Sequence, residues 1–501
     1  MSRSRVPIVI TLVLALIVSS LTRDWARAMR VRGDVSLLGN AGGSSSLANM
    51  NSFALALLLG GLRGPLVMIL WTSSESQKNE KNLEDFDTKV EWIRLLQPEF
   101  DTVHIFQVWN KAYNISVQMA SLSNKYATIL DAIDYAERVE AQRPNNLNML
   151  YAIGGIYFDK LGTSSEKQYY KTRVRAESLP HESKQKVARN DPGWRRIELD
   201  PVLDQKGMIL SPLLSPKVAV NPKQSGEEWS NGSELQFLDK YQPFPFGVST
   251  FGFGYNYFKR AQVLQSTLNQ QHAQLSPMVV DSRPALALKN WEEDECERGR
   301  RLELQAFNHP IPEERFDLDV PTADLAVDAP FSATERPNLL AAVEAYDRAS
   351  KLGPDAVAEY QRHLKNYTVN FNSYQSHIDE AQVTASVSAG DRDYLKAMLS
   401  PADQRKPLLA SATLGYRKAL EQAQRLIFKY YVDEELAARA FPEGIRRTNV
   451  EQLPTAMYEP VLARVQALSR TRKFDPSAED RLPWERVVER IHGRMRHLEG
   501  K

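Results

Sequence analysis

The chain has 501 residues, enough for two to four packed units at ordinary domain sizes. Its 63 Lys and Arg against 62 Asp and Glu, with 43% hydrophobic and 25% charged residues, exclude a generally disordered chain, a polytopic membrane protein and a uniformly basic nucleic-acid coat. The single cysteine, Cys296, excludes an intrachain disulfide and any Cys-built zinc or iron–sulfur site.

The amino terminus reads as a membrane signal. Arg3 and Arg5 precede an uncharged apolar run over residues 6–21. As a helix this run reaches roughly 24 Å, slightly short of a bilayer core, and snorkelling arginines can absorb the difference. Arg23, Arg27, Arg30 and Arg32 follow, so charge alone does not orient the segment. The expectation is an uncleaved single-pass anchor over residues 1–32, with the bulk of the chain extracytoplasmic if the start stays inside. A cleaved signal ending near Ala26-Arg27-Ala28 is the second reading, and a buried soluble helix the third. Residues 33–51, with GNAGGSSS, read as a flexible linker. A second apolar run, Ser52 to Trp71, carries Arg63 and Pro65 past its centre. Mid-bilayer arginine costs about 2.5–3.5 kcal/mol and proline interrupts the backbone ladder, so short packed or surface helices are expected there.

Residues 52–178 carry the spacing of helical hairpins. Before Pro144, Ala132, Ala136 and Val139 occupy the small or apolar positions of a tetratricopeptide second helix. After it, Leu150, Ile153, Gly154 and Tyr157 match the next first helix, where glycine permits close approach and the larger side chains fill the groove between hairpins. Phe86, Val90, Ile93 and Pro98 repeat the pattern one unit earlier, and Phe106, Trp109, Asn110 and Tyr113 suit its first-helix face.

Within this region, the segment 83–162 resembles the tetratricopeptide family over roughly two irregular units. Three longer stretches, LGGLRG (59–64), WIRLLQPEFDTVHIFQVWNKAYNIS (92–116) and PFPFGVSTFGFGYNYFKRAQ (243–262), resemble a bacterial, planctomycete-type family of membrane-anchored tetratricopeptide-like proteins. Some of its members carry the label "IRE (iron responsive element)". The resemblance implies an anchored helical body that includes residues 52–71, and it brings no catalytic residues with it.

From 179 to 336 the texture changes. Pro192, Pro201, Pro212, Pro216 and Pro222 interrupt any long helix, which predicts an irregular wrapping segment. Two helices are expected inside it, Tyr257 to Leu275 and Pro284 to Phe307. In the last region, 337–501, a helix starting at Pro354 and Asp355 is expected to present Val357, Tyr360, Leu364, Tyr367, Phe371, Tyr374 and Ile378 along one seam, continuing to Ala385. A second seam, Leu409, Ala412, Tyr416, Ala419, Ala423, Leu426 and Tyr430, should pair with it as an elongated antiparallel hairpin. A homodimer through the same seams is the alternative.

Chemistry-bearing motifs are sparse. The chain contains no HExxH, no phosphate-binding GxxxxGK[ST] loop and no GxSxG elbow, and GFG at 252–254 lacks a third glycine. No catalytic, cofactor-binding or metal-ligating residue is assigned, and no nucleic-acid partner is expected. Phe251, Phe253 and Tyr255 form a candidate aromatic surface for sugar rings or lipid, against a bland reading as core plugs at tight glycine turns. The acidic run WEEDECE (291–297) reads as a solvated helix face with Asp294–Arg298 and Glu297–Arg301 pairs.

The expected fold is all-α: irregular tetratricopeptide-like hairpins behind a transmembrane helix, a Pro-rich wrap and a long C-terminal helical hairpin. The expected function is a membrane-anchored scaffold for an unidentified protein or peptide, with Asn110, Lys111, Tyr113 and Asn114 as candidate contacts. The alternative is an enzyme or enzyme subunit acting on cell-envelope glycans, which requires the aromatic stretch and the acidic helix to converge on a carboxylate of raised pKa.

Overall fold

The computed structural model of the chain describes residues 67–70, 72–73, 89, 92–93, 101–143, 146–178, 237, 248–267, 275–307, 335–367, 371–472 and 475–498. The expected anchor, the linker, most of the second apolar run and most of the Pro-rich wrap lie outside them. The described residues are all-helical, with no strand among them. No helix among them is long and apolar enough to cross a membrane. Packing divides the chain into two units, Met1–Gln118 with Thr128–Pro144, and Met119–Ala127 with Asn145–Lys501. The division therefore falls inside the expected repeat region and not near residue 178.

In the first unit, α1 (Asp101–Trp109), a π-wound stretch (Asn110–Ile115) and α2 (Ser116–Gln118) form one continuous rod, because Trp109 and Ser116 both keep right-handed helical dihedrals. His104, Val108, Ala112 and Ser116 are buried along it. A stripe that steps by four drifts off one face of an ordinary helix at 3.6 residues per turn; the wider π winding keeps it in line. The rod runs antiparallel to the later turns of α3 (Leu122–Gln142). Arg143–Asp101 at 2.5 Å, Lys111–Asp131 at 2.6 Å and a 2.7 Å hydrogen bond between His104 Nδ1 and Tyr135 Oη mark that register.

In the second unit, α4 (Leu147–Gly155) starts at Asn146, whose side chain accepts from the Met149 amide. It continues into a second π-wound stretch, Ile156–Thr163, and α5 (Lys167–Glu177) follows. Next come α6 (Thr250–Thr267) and α7 (Pro277–Ala306). Helix α6 begins seven residues before its expected start because the glycine-rich aromatic stretch is itself helical. Glycine costs about 1 kcal/mol in a helix interior, and here close packing offsets it. A Cβ on Gly252 would meet Trp291 at 3.2 Å, and one on Gly254 would meet Phe158 at 3.3 Å. Gly154, whose neighbour the repeat pattern places in an adjoining hairpin, instead receives the Phe258 ring of α6, 2.8 Å from a Cβ built there. Helix α7 starts at Pro277 behind Ser276, and Pro284 lies inside it.

The long expected helix over 357–385 is two helices. α8 (Glu335–Asn366) passes through Pro354, and α9 (Phe371–Leu399) returns beside it. The aromatic seam thus folds onto itself, with the Tyr360 and Tyr374 ring centroids 5.8 Å apart. The three-and-four spacing persists across the break, so periodicity alone gives no sign of the turn. α9 then packs on α10 (Ala402–Tyr430), whose seam residues Ala412, Tyr416, Ala419, Ala423 and Leu426 are buried within the chain. The closest crossing has glycine on both helices: the Tyr416 ring of α10 lies against Gly390 of α9, 2.8 Å from a Cβ built there, and a Cβ on Gly415 would meet the Gly390 backbone at 3.2 Å. α11 (Glu434–Ala440), two 3₁₀ turns (Arg447–Gln452 and Thr455–Met457), α12 (Tyr458–Thr471) and α13 (Ala478–Leu498) complete the unit. α10 packs against both α12 and α13.

These glycine contacts separate two substitutions. Tyr416 is fully buried and its hydroxyl donates to Asp391 at 2.6 Å, so its ring cannot retreat. Gly390→Ala should destabilise the chain by about 1–2 kcal/mol, overpacking outweighing the helical gain. Gly155→Ala, whose Cβ would meet only Asp159 Oδ2 at 3.8 Å, should be neutral or stabilise by up to about 1 kcal/mol. Urea unfolding midpoints of the two variants check the contrast.

Candidate functional site

Of the four candidate contacts in the first unit, one is interior. Asn110 is buried, its Oδ1 accepts from Asn114 Nδ2 at 2.9 Å, and its own Nδ2 has no acceptor. Lys111 is held by Asp131, while Tyr113 and Asn114 are partly exposed. Of the residues that suit a first-helix face, Asn110 is buried and Phe106 and Tyr113 are half-buried, while Trp109 is 42% exposed and Val117 beyond them 52%. Trp109 stacks on Tyr113 with centroids 6.1 Å apart and contacts Phe106 at 6.4 Å. The result is an aromatic ridge along the π-wound turn. The spacing groups Phe106, Trp109 and Tyr113 on one face, and Tyr113 is partly exposed as a candidate contact should be, whereas Asn110 is not.

The candidate aromatic surface is not a surface. Phe251, Phe253 and Tyr255 are 5%, 0% and 7% exposed. Phe253 stacks on Tyr157 at 5.0 Å and Phe251 meets Phe158 edge-on at 5.4 Å. The Phe251 ring fills the space that Gly162 leaves open and Phe253 packs on Tyr157, so these aromatics act as core plugs on a helix and not at turns.

The acidic run is also interior, which corrects its reading as a solvated face. Glu292 and Glu295 are fully buried and Asp294 nearly so. Asp294 pairs with Lys171 at 2.5 Å and Arg175 at 2.7 Å, and accepts from Ser249 Oγ at 2.6 Å. Glu295 accepts from Arg175 at 2.9 Å and from Trp291 Nε1 at 3.2 Å, with Arg348 at 3.5 Å. Arg298, the partner expected for Asp294, lies instead 3.8 Å from Glu295; the Glu297–Arg301 pair forms as expected, at 2.9 Å.

Burial opposes ionisation of Asp294, but Lys171 and Arg175 outweigh it and hold the carboxyl well below its ordinary range. Glu295 is lowered in the same way, against burial, by Arg175, Arg348 and Arg298. Burial, followed by the neighbouring Arg175, pushes the Arg298 guanidinium down to about 9. The aromatic stretch and the acidic helix therefore do converge, but on carboxylates fixed in their charged form, which suits pairing better than proton donation. The only sequence signal for this pairing is the complementarity of the basic run KTRVR with the acidic run 120 residues later.

A second ionic centre docks α13. Arg490 lies 3.1 Å from Glu303 and 3.2 Å from Asp391, and Arg494 also pairs with Glu303. The Tyr346 hydroxyl donates to Glu303 at 3.0 Å. Among the described residues, no three His, Cys, Asp or Glu side chains are grouped to hold a metal ion. No family model, curated protein or solved structure matches the chain.

Because folding holds Asp294 and Glu295 below their ordinary 3.8 and 4.5, their contribution is complete above those values, begins to fall below them and is gone only once pH drops past the depressed folded values. Asp294→Asn should cost roughly 3 kcal/mol at neutral pH by leaving Lys171 with only the more distant Glu297 and Arg175 with Glu295 alone. It should also flatten the fall in stability below pH 4. Urea titrations at pH 7, 5 and 3 measure both effects, and an unchanged acid slope would remove Asp294 from the account.

Proposed function

We propose that the chain is a membrane-anchored, tetratricopeptide-like scaffold that binds a protein or peptide through the ridge of Trp109, Tyr113 and Val117 in its first unit. The observation that carries this reading is the outward Trp109, stacked on Tyr113 at a π-wound turn. Exposed tryptophan and tyrosine offer large contact area at little conformational cost, and π-turns recur at functional positions. Met68, Ile69 and Trp92 are further exposed apolar residues of the same unit. Lys111 and Asn114 flank the ridge as polar contacts, whereas Asn110 supports it from inside. The anchor rests on the charge-free run 6–21 between arginines, and the bulk of the chain is extracytoplasmic if the start stays inside.

Affinity capture from detergent-solubilised membranes tests the ridge. Trp109→Ala should weaken recovery of the partner by about 2 kcal/mol, roughly 30-fold in Kd, while leaving the unfolding midpoint unchanged. Recovery that is indifferent to Trp109 would remove the ridge from the proposal. The anchor has its own readout: the full chain should need detergent for release from membranes, and a chain lacking residues 1–32 should not.

A further inference from the structure

The α8–α9 tip carries a small apolar cluster separate from the main core. Ala285, Tyr360 and Ile378 form it, with Val357, Leu364 and Tyr374 packed around them. Elsewhere the same two helices belong to the large core, through Leu339, Val343, Tyr346 and Ala349 on α8 and Val383, Val387 and Tyr394 on α9. Cooperative units of this kind can open on their own while the body stays closed.

Two histidines sit in the tip without the hydrogen bonds that buried imidazoles ordinarily make. His363 is fully buried, and neither ring nitrogen has a partner. Its ring packs against Tyr367 at 5.0 Å and edge-on against Tyr374 at 4.7 Å. His377 Nδ1 is likewise buried and unpaired, with the ring 5.5 Å from Tyr360, whose own hydroxyl has no partner. A protonated imidazole needs two acceptors; the enclosure supplies His363 with neither and leaves Nδ1 of the half-buried His377 without one.

We infer that the α8–α9 tip is an acid-sensitive latch, in which protonation of His363 or His377 opens the tip while the main core remains closed.

The charges around the two rings fit this reading. Around His363 stand Asp281 from α7, Arg362 from α8, Tyr367 just beyond α8 and Tyr374 from α9. Asp281 is engaged already, accepting from Tyr367 and lying 3.8 Å from Arg362. Around His377 stand Lys289 and Glu293 from α7, Tyr360 from α8, and Tyr374 and Glu380 from α9. Lys289 bridges Glu293 at 2.7 Å and Glu380 at 2.8 Å, and Glu380 also accepts from Tyr431 at 2.5 Å. Lys259 pairs with Glu359 across from α6. Both imidazoles are shifted below 6.5, His363 by burial and then Arg362, His377 by burial and then Lys289; nearby carboxylates oppose the shift only in part. The open state therefore takes up protons that the closed tip excludes. Stability of the tip is complete above pH 6.5 and is lost as pH falls below it.

Hydrogen exchange of the full-length chain at pH 7.5 and 5.5, expressed as protection factors, tests the latch. Protection over 357–378 should fall at pH 5.5, by up to about tenfold for each histidine that titrates, since each pH unit below 6.5 multiplies the protonated open state tenfold. Protection over 409–465 should hold. His363→Phe with His377→Phe should abolish the difference, and His363→Gln, which cannot titrate in this range, should reduce it. Equal protection of 357–378 at both pH values would overturn the latch. So would a matching loss over 409–465, or a double variant that keeps the original pH response. The wild-type comparison decides the matter even if a variant fails to fold.

Discussion

Helix α7 can be interior only because cations from three other helices reach its carboxylates. Lys171 and Arg175 come from α5, Arg348 from α8, and Arg490 and Arg494 from α13. An unpaired carboxylate in such a place costs several kcal/mol, whereas a paired and hydrogen-bonded one roughly breaks even with an apolar residue. The ionic centres are thus a weak source of net stability and a strong source of selectivity. A helix placed in the wrong register would bury charge without a partner.

The second constraint is steric. Gly154, Gly162 and Gly254 let α4, its π-wound continuation and α6 approach until rings meet backbone, with Phe258 over Gly154, Phe251 over Gly162 and Phe158 against Gly254, while Gly252 receives Trp291 of α7. Gly390 and Gly415 do the same for α9 and α10 around Tyr416. Ion pairs select which helices meet, and glycine–aromatic contacts fix how closely. Both act in the second unit, which leaves the outward ridge of the first unit as the better place to seek a partner.

Much of the helical content was legible, because three-and-four spacing of apolar residues is a local property. The seam from Leu409 to Tyr430 illustrates it, and its central residues are buried as their spacing implies. What was not legible depended on contacts distant in sequence. Trp291 to Glu297 looks solvated when only its neighbours Arg298 and Arg301 are considered, since its true partners arrive from residues 171, 175 and 348. Phe251 to Phe258 looks like a turn because glycine's helical cost is visible locally and the rings that offset it are not. The fold-back between Asn366 and Phe371 left no trace in the spacing, for the aromatic pattern stays in phase across it. In the candidate site, Asn110, Lys111, Tyr113 and Asn114 were singled out by type, but the burial of Asn110 and the exposure of Trp109 depend on packing and helical winding that periodicity does not encode.

The docking of α13 has a consequence for synthesis. Glu303 and Arg490 are separated by 187 residues, and Glu303 and Arg494 by 191. At ordinary ribosomal rates of about 5–20 residues per second, Glu303 exists for roughly 10–40 s before its guanidinium partners are made. Asp391 is present only for the last 99 residues of that interval, and until α13 emerges neither carboxylate has its guanidinium partner. Closure of the second unit is therefore timed by the emergence of α13, and a ribosome stalled before it would display an acidic, tyrosine-lined opening of a kind on which holdase chaperones act.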